Sequence, residues 1–228
     1  MKPAHLSLIA LACLAVLAGG LLGCAGTDHR THEVAKRPCP VDKLALAPFQ
    51  TPWPSDRPLE VLCPISGDLF PEAVIPEAAR VELTGALPRA VEKAFHCPLV
   101  LPSAVAGALP VRPGRSGQAV RAALARAARK VGAQTIIAGT VFRYRERVGT
   151  GAGIKEPASV YLNLYAIEAR TGTIIGQGSF RETQQSLSEN LFKMGDFFER
   201  GGRWLTAAEL SEAGMVKLLS RMALTAGE

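Results

Sequence analysis

The N-terminal segment constrains this chain more than any other feature, because it decides the compartment in which the rest must fold. One fixed positive charge, Lys2, precedes a nearly continuous apolar run over residues 6–22. A charged start followed by an apolar core is the pattern of a secretory signal. The run of 17 residues is shorter than the roughly 20 that a membrane-spanning helix needs. The sequence therefore predicts an exported protein.

The apolar run ends in the motif Leu21-Leu22-Gly23-Cys24, which resembles a bacterial lipobox. The resemblance implies that residues 1–23 are a signal peptide cleaved after Gly23, and that Cys24 then carries fatty acyl chains such as palmitate. A cysteine suits this role because its thiolate is a ready nucleophile. Ala25 follows, where lipoproteins that enteric bacteria retain in the inner membrane have Asp. We therefore expect a lipid anchor in the outer membrane, with the protein facing the periplasm. A plain signal peptide and a signal anchor are the alternatives.

The remaining cysteines are expected to meet an oxidising environment, since disulfides persist in the periplasm. Removal of the signal takes Cys13 away, and acylation occupies Cys24. The cysteines left in the mature protein are Cys39, Cys63 and Cys97. These allow one internal disulfide, whose pairing the sequence leaves open. With the neighbouring His96 they do not form a closed metal-ligand spacing, so no metal and no cofactor is predicted.

Residues 24–42 are predicted to be a lipidated tether, because they mix polar, charged and proline residues without apolar periodicity. The whole chain has 26 Lys and Arg against 20 Asp and Glu. In a periplasmic protein this modest positive excess favours lipid phosphates or acidic partners and does not indicate nucleic acid. Several basic residues share one face of a helix predicted over 117–131, namely Arg121, Arg126, Arg129 and Lys130. The simplest interpretation of that face is that it is solvated.

Residues 43–228 carry the patterns of a folded domain. Period-two alternation predicts strands over 43–49, 99–101, 135–147, 159–169 and 173–181. Apolar residues at helical spacing predict helices from Pro76 to about Phe95, over 117–131 and over 188–199, and Thr206 begins the capping box of a last helix. A proline at position 88 is expected to kink or divide the first helix. The predicted fold class is α/β: a single domain with a mixed sheet, which includes an antiparallel three-strand meander and is packed by helices.

Catalytic signals are weak. The glycines between positions 149 and 153 lie between two predicted strands, whereas a phosphate-binding loop leads from a strand into a helix. The folded part has a single histidine, His96, and no motif that would place it in a catalytic triad. No catalytic residues are therefore predicted, and the protein is not expected to be an enzyme.

Three segments of the mature domain, 43–49, 131–141 and 167–175, resemble the periplasmic lipoproteins of the curli-export and penicillin-binding-protein-activator group. The amino-terminal domain of the Tol translocation protein is a more distant relative in fold. One departure is Ala169-Arg170, where the group usually has an acidic residue before Thr-Gly. The resemblance implies a non-enzymatic adaptor that binds a partner in cell-envelope assembly, with activation of a peptidoglycan synthase among its roles. The alternatives are an oligomeric outer-membrane export-channel subunit, which would be a homo-oligomer, and an envelope hydrolase.

The strand predicted over 135–147 bears on the choice between adaptor and channel. Arg143, Arg145 and Arg147 fall on one side of it, together with Ile137 and Val141. Charges at this density do not suit a strand that faces lipid. The tether of residues 24–42 is also short for reaching an inner-membrane synthase. The three arginines are therefore predicted to bind an envelope partner whose identity the sequence does not reveal.

Replacing Cys24 by alanine is expected to abolish incorporation of an alkyne-tagged fatty acid and to remove the protein from the outer-membrane fraction, because the acyl chains supply the anchor. Metabolic labelling followed by membrane fractionation measures both effects. A matched Cys13→Ala variant changes a cysteine inside the signal and should leave both unchanged. Continued acylation of the Cys24→Ala chain would show that the lipobox interpretation is wrong.

Overall fold

A computed structural model describes residues 36–71, 75–110, 114–150, 154–184 and 204–225 of the chain. The predicted signal peptide, Cys24, most of the tether and the helix predicted over 188–199 lie outside these residues. The strands are β1 (Arg37–Pro38), β2 (Leu44–Leu46), β3 (Trp53–Pro54), β4 (Glu60–Leu62), β5 (Leu69–Pro71), β6 (Phe95–His96), β7 (Leu99–Val100), β8 (Thr135–Arg145), β9 (Val148–Gly149), β10 (Ile154–Glu156), β11 (Ser159–Glu168) and β12 (Ile174–Thr183). The helices in the described part are α1 (Glu77–Ala94), α2 (Pro102–Ala108), α3 (Gly117–Lys130) and α4 (Ala207–Leu219).

The central sheet has five strands in the order β12–β11–β8–β2–β7. Strand β2 lies parallel to β7 and β8, while β8, β11 and β12 form an antiparallel meander. The turn between β11 and β12 uses Gly172, whose φ of 78° is a conformation that glycine adopts without steric cost. The predicted α/β class, with a mixed sheet that contains a three-strand meander, is confirmed.

Both faces of the sheet are buried along its central strands β2, β8 and β11, because these strands carry apolar side chains on both sides. One face packs against α1 and α4, and Ile137 and Leu162 belong to that core. The other packs against α2, α3 and the small sheet β3–β4–β5, with Ile136 and Leu124 in its core. We refer to them as the α1/α4 face and the α2/α3 face. None of the helices in the described part combines the length and apolar character that crossing a membrane requires.

The helices differ from the prediction in two places. Helix α1 continues through Pro88, so the predicted division of this helix at the proline is wrong, and its buried Leu83, Leu87 and Val91 pack along the sheet on both sides of the proline. Tertiary packing of this stripe outweighs the local cost of the proline. Helix α2 was not predicted, and Pro102 occupies its first turn. The capping box that begins α4 at Thr206 is confirmed.

The described tether residues are attached to the domain, so the predicted boundary at residues 42 and 43 is too late. Strand β1 pairs in parallel with β6. The Arg37 guanidinium donates a hydrogen bond of 3.0 Å to the Ser220 carbonyl oxygen. Cys39 forms a disulfide with Cys97. The absence of apolar periodicity misled the prediction, because backbone pairing and a covalent bond, not apolar burial, hold this segment.

Substituting Gly139 by alanine is expected to lower the free energy of unfolding by about 1–3 kcal/mol, the usual cost of overpacking a core. A Cβ at this position of β8 would overlap a ring carbon of the buried Phe49. The matched control is Gly85→Ala in α1, where a Cβ meets nothing within 4 Å. That change should stabilise the helix by about 0.5–1 kcal/mol. Urea denaturation of both variants measures the difference, and equal stabilities would contradict the packing described.

Candidate partner-binding face

A β-bulge in β8 decides where the predicted arginines lie. Opposite β11, Leu162 pairs with Val141, and the preceding Tyr161 pairs with Arg143. Phe142 is therefore an extra residue in β8 that has no partner on β11. An extra residue of this kind shifts the alternation of all side chains that follow it.

The bulge corrects the prediction that the arginines share a side with Ile137 and Val141. Val141 and Tyr144 pack in the same core, on the α1/α4 face, although they are three positions apart. Arg143 and Arg145 therefore lie on the opposite, α2/α3 face. Strict alternation from Ile137 fails here because the sequence gives no sign of the inserted residue.

The meander places Arg143, Tyr161 and Arg181 side by side on the α2/α3 face. Tyr161 lies opposite Arg143 on β8 and opposite Arg181 on β12. The guanidinium carbon of Arg181 is 5.6 Å from the centroid of the Tyr161 ring, a distance at which cation and ring attract. We refer to these three residues as the arginine–tyrosine row. The sequence does not single out Arg181, because only the strand pairing reveals that it is next to Tyr161.

The row holds positive charge, and the ion pairs among the described residues do not include its arginines. Burial lowers the pKa of Arg143, and the charges of Arg181 and Arg145 lower it further. The Nε atom of Arg143 is buried and finds no hydrogen-bond partner in the described part of the chain. Like charges held together in this way are unfavourable in the protein alone and favourable toward an anionic group.

The three predicted arginines have different surroundings. Arg145 lies opposite Ser159 and is exposed, so it extends the positive surface beyond Arg143. Arg147 lies past the end of β8, and its guanidinium donates a hydrogen bond of 2.8 Å to the carbonyl oxygen of Trp204. The structure thus brings Arg143 and Arg145 together and gives Arg147 a contact to the segment that precedes α4.

Aromatic packing fixes the position of the row. The Phe142 ring, supplied by the bulge, lies 5.1 Å from the Tyr161 ring and 4.2 Å from the Phe70 ring, measured between centroids. The Phe70 ring meets the Tyr161 ring edge-on at 5.9 Å. Such offset and edge contacts are the preferred arrangements of aromatic pairs. The small sheet, through Phe70 of β5, therefore helps to hold Tyr161 between the two arginines.

A polar cavity of ≈ 340 Å³ lies next to the row, and Asp68, Asn163 and Ser179 are among its lining residues. Its floor includes Tyr165, whose hydroxyl accepts a hydrogen bond of 3.1 Å from the Asn163 amide. Burial raises the pKa of Tyr165, and the neighbouring Cys63 raises it further. The phenol therefore stays protonated, and the cavity offers neutral hydrogen-bonding groups with one carboxylate, Asp68.

The cysteines occupy two different parts of the fold. Cys39 and Cys97 form the disulfide near the α1/α4 core, and Cys63 is a buried free thiol in the core on the other side of the sheet. Its sulfur lies 3.4 Å from the Tyr165 hydroxyl. The sheet between the two cores explains why Cys63 does not take part in the pairing. Among the described residues, no group of three or more histidine, cysteine or acidic side chains could hold a metal ion.

No known sequence family and no curated protein matches this chain. Among solved structures it is similar to the PelC dodecamer from Paraburkholderia phytofirmans, with 13% identity and a TM-score of 0.37 over 78% of this chain and 85% of that chain. It is also similar to lipoprotein GNA1162 from Neisseria meningitidis, with 14% identity and a TM-score of 0.37 over 70% and 96% of the two chains. A third similar structure is protein XCC0632 from Xanthomonas campestris, with 14% identity and a TM-score of 0.34 over 82% and 86%. Likeness at these TM-scores does not establish membership of a family.

Replacing Arg143 by methionine is expected to stabilise the protein by about 1 kcal/mol, because it removes a partly buried charge that repels two neighbours and has no ion-pair partner among the described residues. Urea denaturation at low and at high ionic strength measures the effect, which salt should reduce by screening the repulsion. The control is Arg126→Met on the exposed face of α3, which should change little. A marked loss of stability in Arg143→Met would contradict the electrostatic description of the row.

Proposed function

We propose that this protein is a lipid-anchored adaptor of the bacterial cell envelope that binds an acidic protein partner through the arginine–tyrosine row. Acyl chains on Cys24 hold it at the outer membrane, and the domain faces the periplasm. It has no catalytic role and needs no cofactor. The partner takes part in envelope assembly, and a peptidoglycan synthase is the example that the resemblance of the sequence suggests.

The single observation that carries this proposal is the positive charge of the row. Two arginines flank one tyrosine across three strands, and neither makes an ion pair with a carboxylate in the described part of the chain. Such an arrangement lowers the stability of the folded protein, because like charges repel and the partly buried Arg143 loses hydration. The same arrangement favours binding to an acidic surface, since desolvated guanidinium groups form strong hydrogen bonds to carboxylates.

The anchor and the fold together limit where the partner is met. Strand β1 begins at Arg37, so 12 residues, 25–36, separate it from Cys24. At about 3.5 Å per extended residue, this segment spans at most roughly 40 Å. The row therefore stays close to the membrane that holds the acyl chains, and the partner must itself reach this surface.

The test is chemical crosslinking in intact cells, followed by purification through a C-terminal tag and mass spectrometry. The wild type should yield adducts with a specific envelope protein. The adduct yield of an Arg143→Glu/Arg181→Glu variant should be at least about tenfold lower, since charge reversal replaces attraction by repulsion. The matched control, Arg126→Glu/Lys130→Glu, changes the net charge equally on the basic face of α3 and should crosslink like the wild type.

Two results would overturn the proposal. Equal adduct yields from the row variant and the wild type would show that the row does not bind the partner. Adducts of the protein with itself alone would favour the oligomeric export channel instead. Circular dichroism and urea denaturation of the row variant establish that it is folded before the yields are compared.

A further inference from the structure

Strand β12 is the edge strand of the central sheet beside the arginine–tyrosine row. It pairs with β11 on one side, and no strand in the described part pairs with its other side. It is ten residues long and contains no proline and no lysine. Unpaired edges of this length are templates for another strand, and proteins usually block them with such residues.

The hydrogen bonding of β12 shows which backbone groups face the open side. Gln184 N donates to the Ala158 carbonyl oxygen at 3.0 Å, and the same register continues from Thr183 back to Gly176. Antiparallel ladders alternate inward and outward residues. The N–H and C=O groups of Gln177, Ser179, Arg181 and Thr183 therefore point outward, away from β11.

The same four residues carry their side chains on the α2/α3 face, where Arg181 lies opposite Tyr161. Gln177, Ser179 and Arg181 are exposed. An added strand would thus place alternate side chains beside Arg181 and beside the neutral Ser179 and Gln177. Its other side chains would fall on the α1/α4 face, next to Leu218, which lies against β12 at Gly178.

The geometry points to β-strand addition: the partner of the proposed function supplies an extended segment that pairs with the open edge of β12. This inference rests on the proposed function and specifies how the partner binds. The segment alternates polar and apolar residues and carries a carboxylate opposite Arg181, with neutral residues nearer Asp68, which lines the cavity beside Gln177 and Ser179. Main-chain hydrogen bonds supply affinity in this mode, and the alternate side chains supply specificity.

The probe is a synthetic peptide as long as β12 that alternates valine with polar residues and has one glutamate, placed third from an end so that full pairing sets it opposite Arg181. Hydrogen exchange measured by NMR on the wild-type domain reports the mode of binding directly. The amides of Gln177, Ser179, Arg181 and Thr183 should exchange rapidly without peptide and become protected on its addition. The inward amides of Gly178 and Phe180 should be protected in both states. Binding that leaves the outward amides unprotected would overturn strand addition.

A substitution in β12 tests the contribution of its outward backbone groups independently of the arginine–tyrosine row. Ser179→Pro removes one outward N–H and leaves the ladder to β11 intact, as edge positions tolerate. It should weaken the peptide's Kd by about tenfold or more, since proline cannot donate to the added strand. The control Ser179→Thr keeps the N–H and should bind like the wild type. Equal binding by Ser179→Pro would overturn the inference.

The outcomes distinguish this inference from the proposed function. If charge reversal of the row abolishes partner crosslinking and Ser179→Pro does not, the partner contacts the row without adding a strand, and only the inference fails. If neither change affects crosslinking, the proposed function fails as well.

A peptide with lysine in place of glutamate should bind more weakly, and equal binding would contradict the role of Arg181. Self-association of the protein that Ser179→Pro abolishes would show a second copy at the edge, which also overturns the inference.

Discussion

Burial of strand β8 on both faces is the constraint on which the rest of this structure depends. Its side chains from Thr135 to Phe142 are buried without interruption, and it pairs with β2 on one side and β11 on the other. Both hydrophobic cores of the described domain are therefore built on it. Helices α1 and α4 cover one face and α2 and α3 the other, because each face of a doubly buried strand requires an apolar layer. Close approaches such as that of Phe49 to Gly139 follow from this burial.

The candidate binding face begins at Arg143, directly after the stretch of β8 that is buried without interruption. After Phe142 the bulge reverses the side-chain alternation, so that Arg143 is directed to the same side as Tyr161. The meander then brings Arg181 to the other side of Tyr161. Strand β8 thus supplies core residues along most of its length and a positively charged surface at its end. The open edge of β12 borders that surface, so charge and unpaired backbone groups occur in the same place.

Predictions from the residues were accurate where local chemistry decides the outcome. Period-two alternation located β8, β11 and β12 within two residues at their ends, and the capping box at Thr206 located the start of α4. Predictions failed where distant parts of the chain decide it. Pro88 did not end α1, because the sheet supports the apolar stripe on both sides of it. The attachment of β1 was missed, because it depends on β6 and on the cysteine at position 97.

The sequence by itself determined the α/β class, the meander with its turn at Gly172, and the expectation of export and lipidation, because hydrophobic period, turn chemistry and signal motifs are local properties. Only the tertiary structure decided that Cys39 pairs with Cys97 and that Arg181 joins Arg143 at Tyr161. These facts depend on register and on contacts between residues far apart in the chain. The physical reason is the side-chain period of two along a strand: one extra residue, Phe142, moves every following side chain to the other face, and no pattern within the strand announces it.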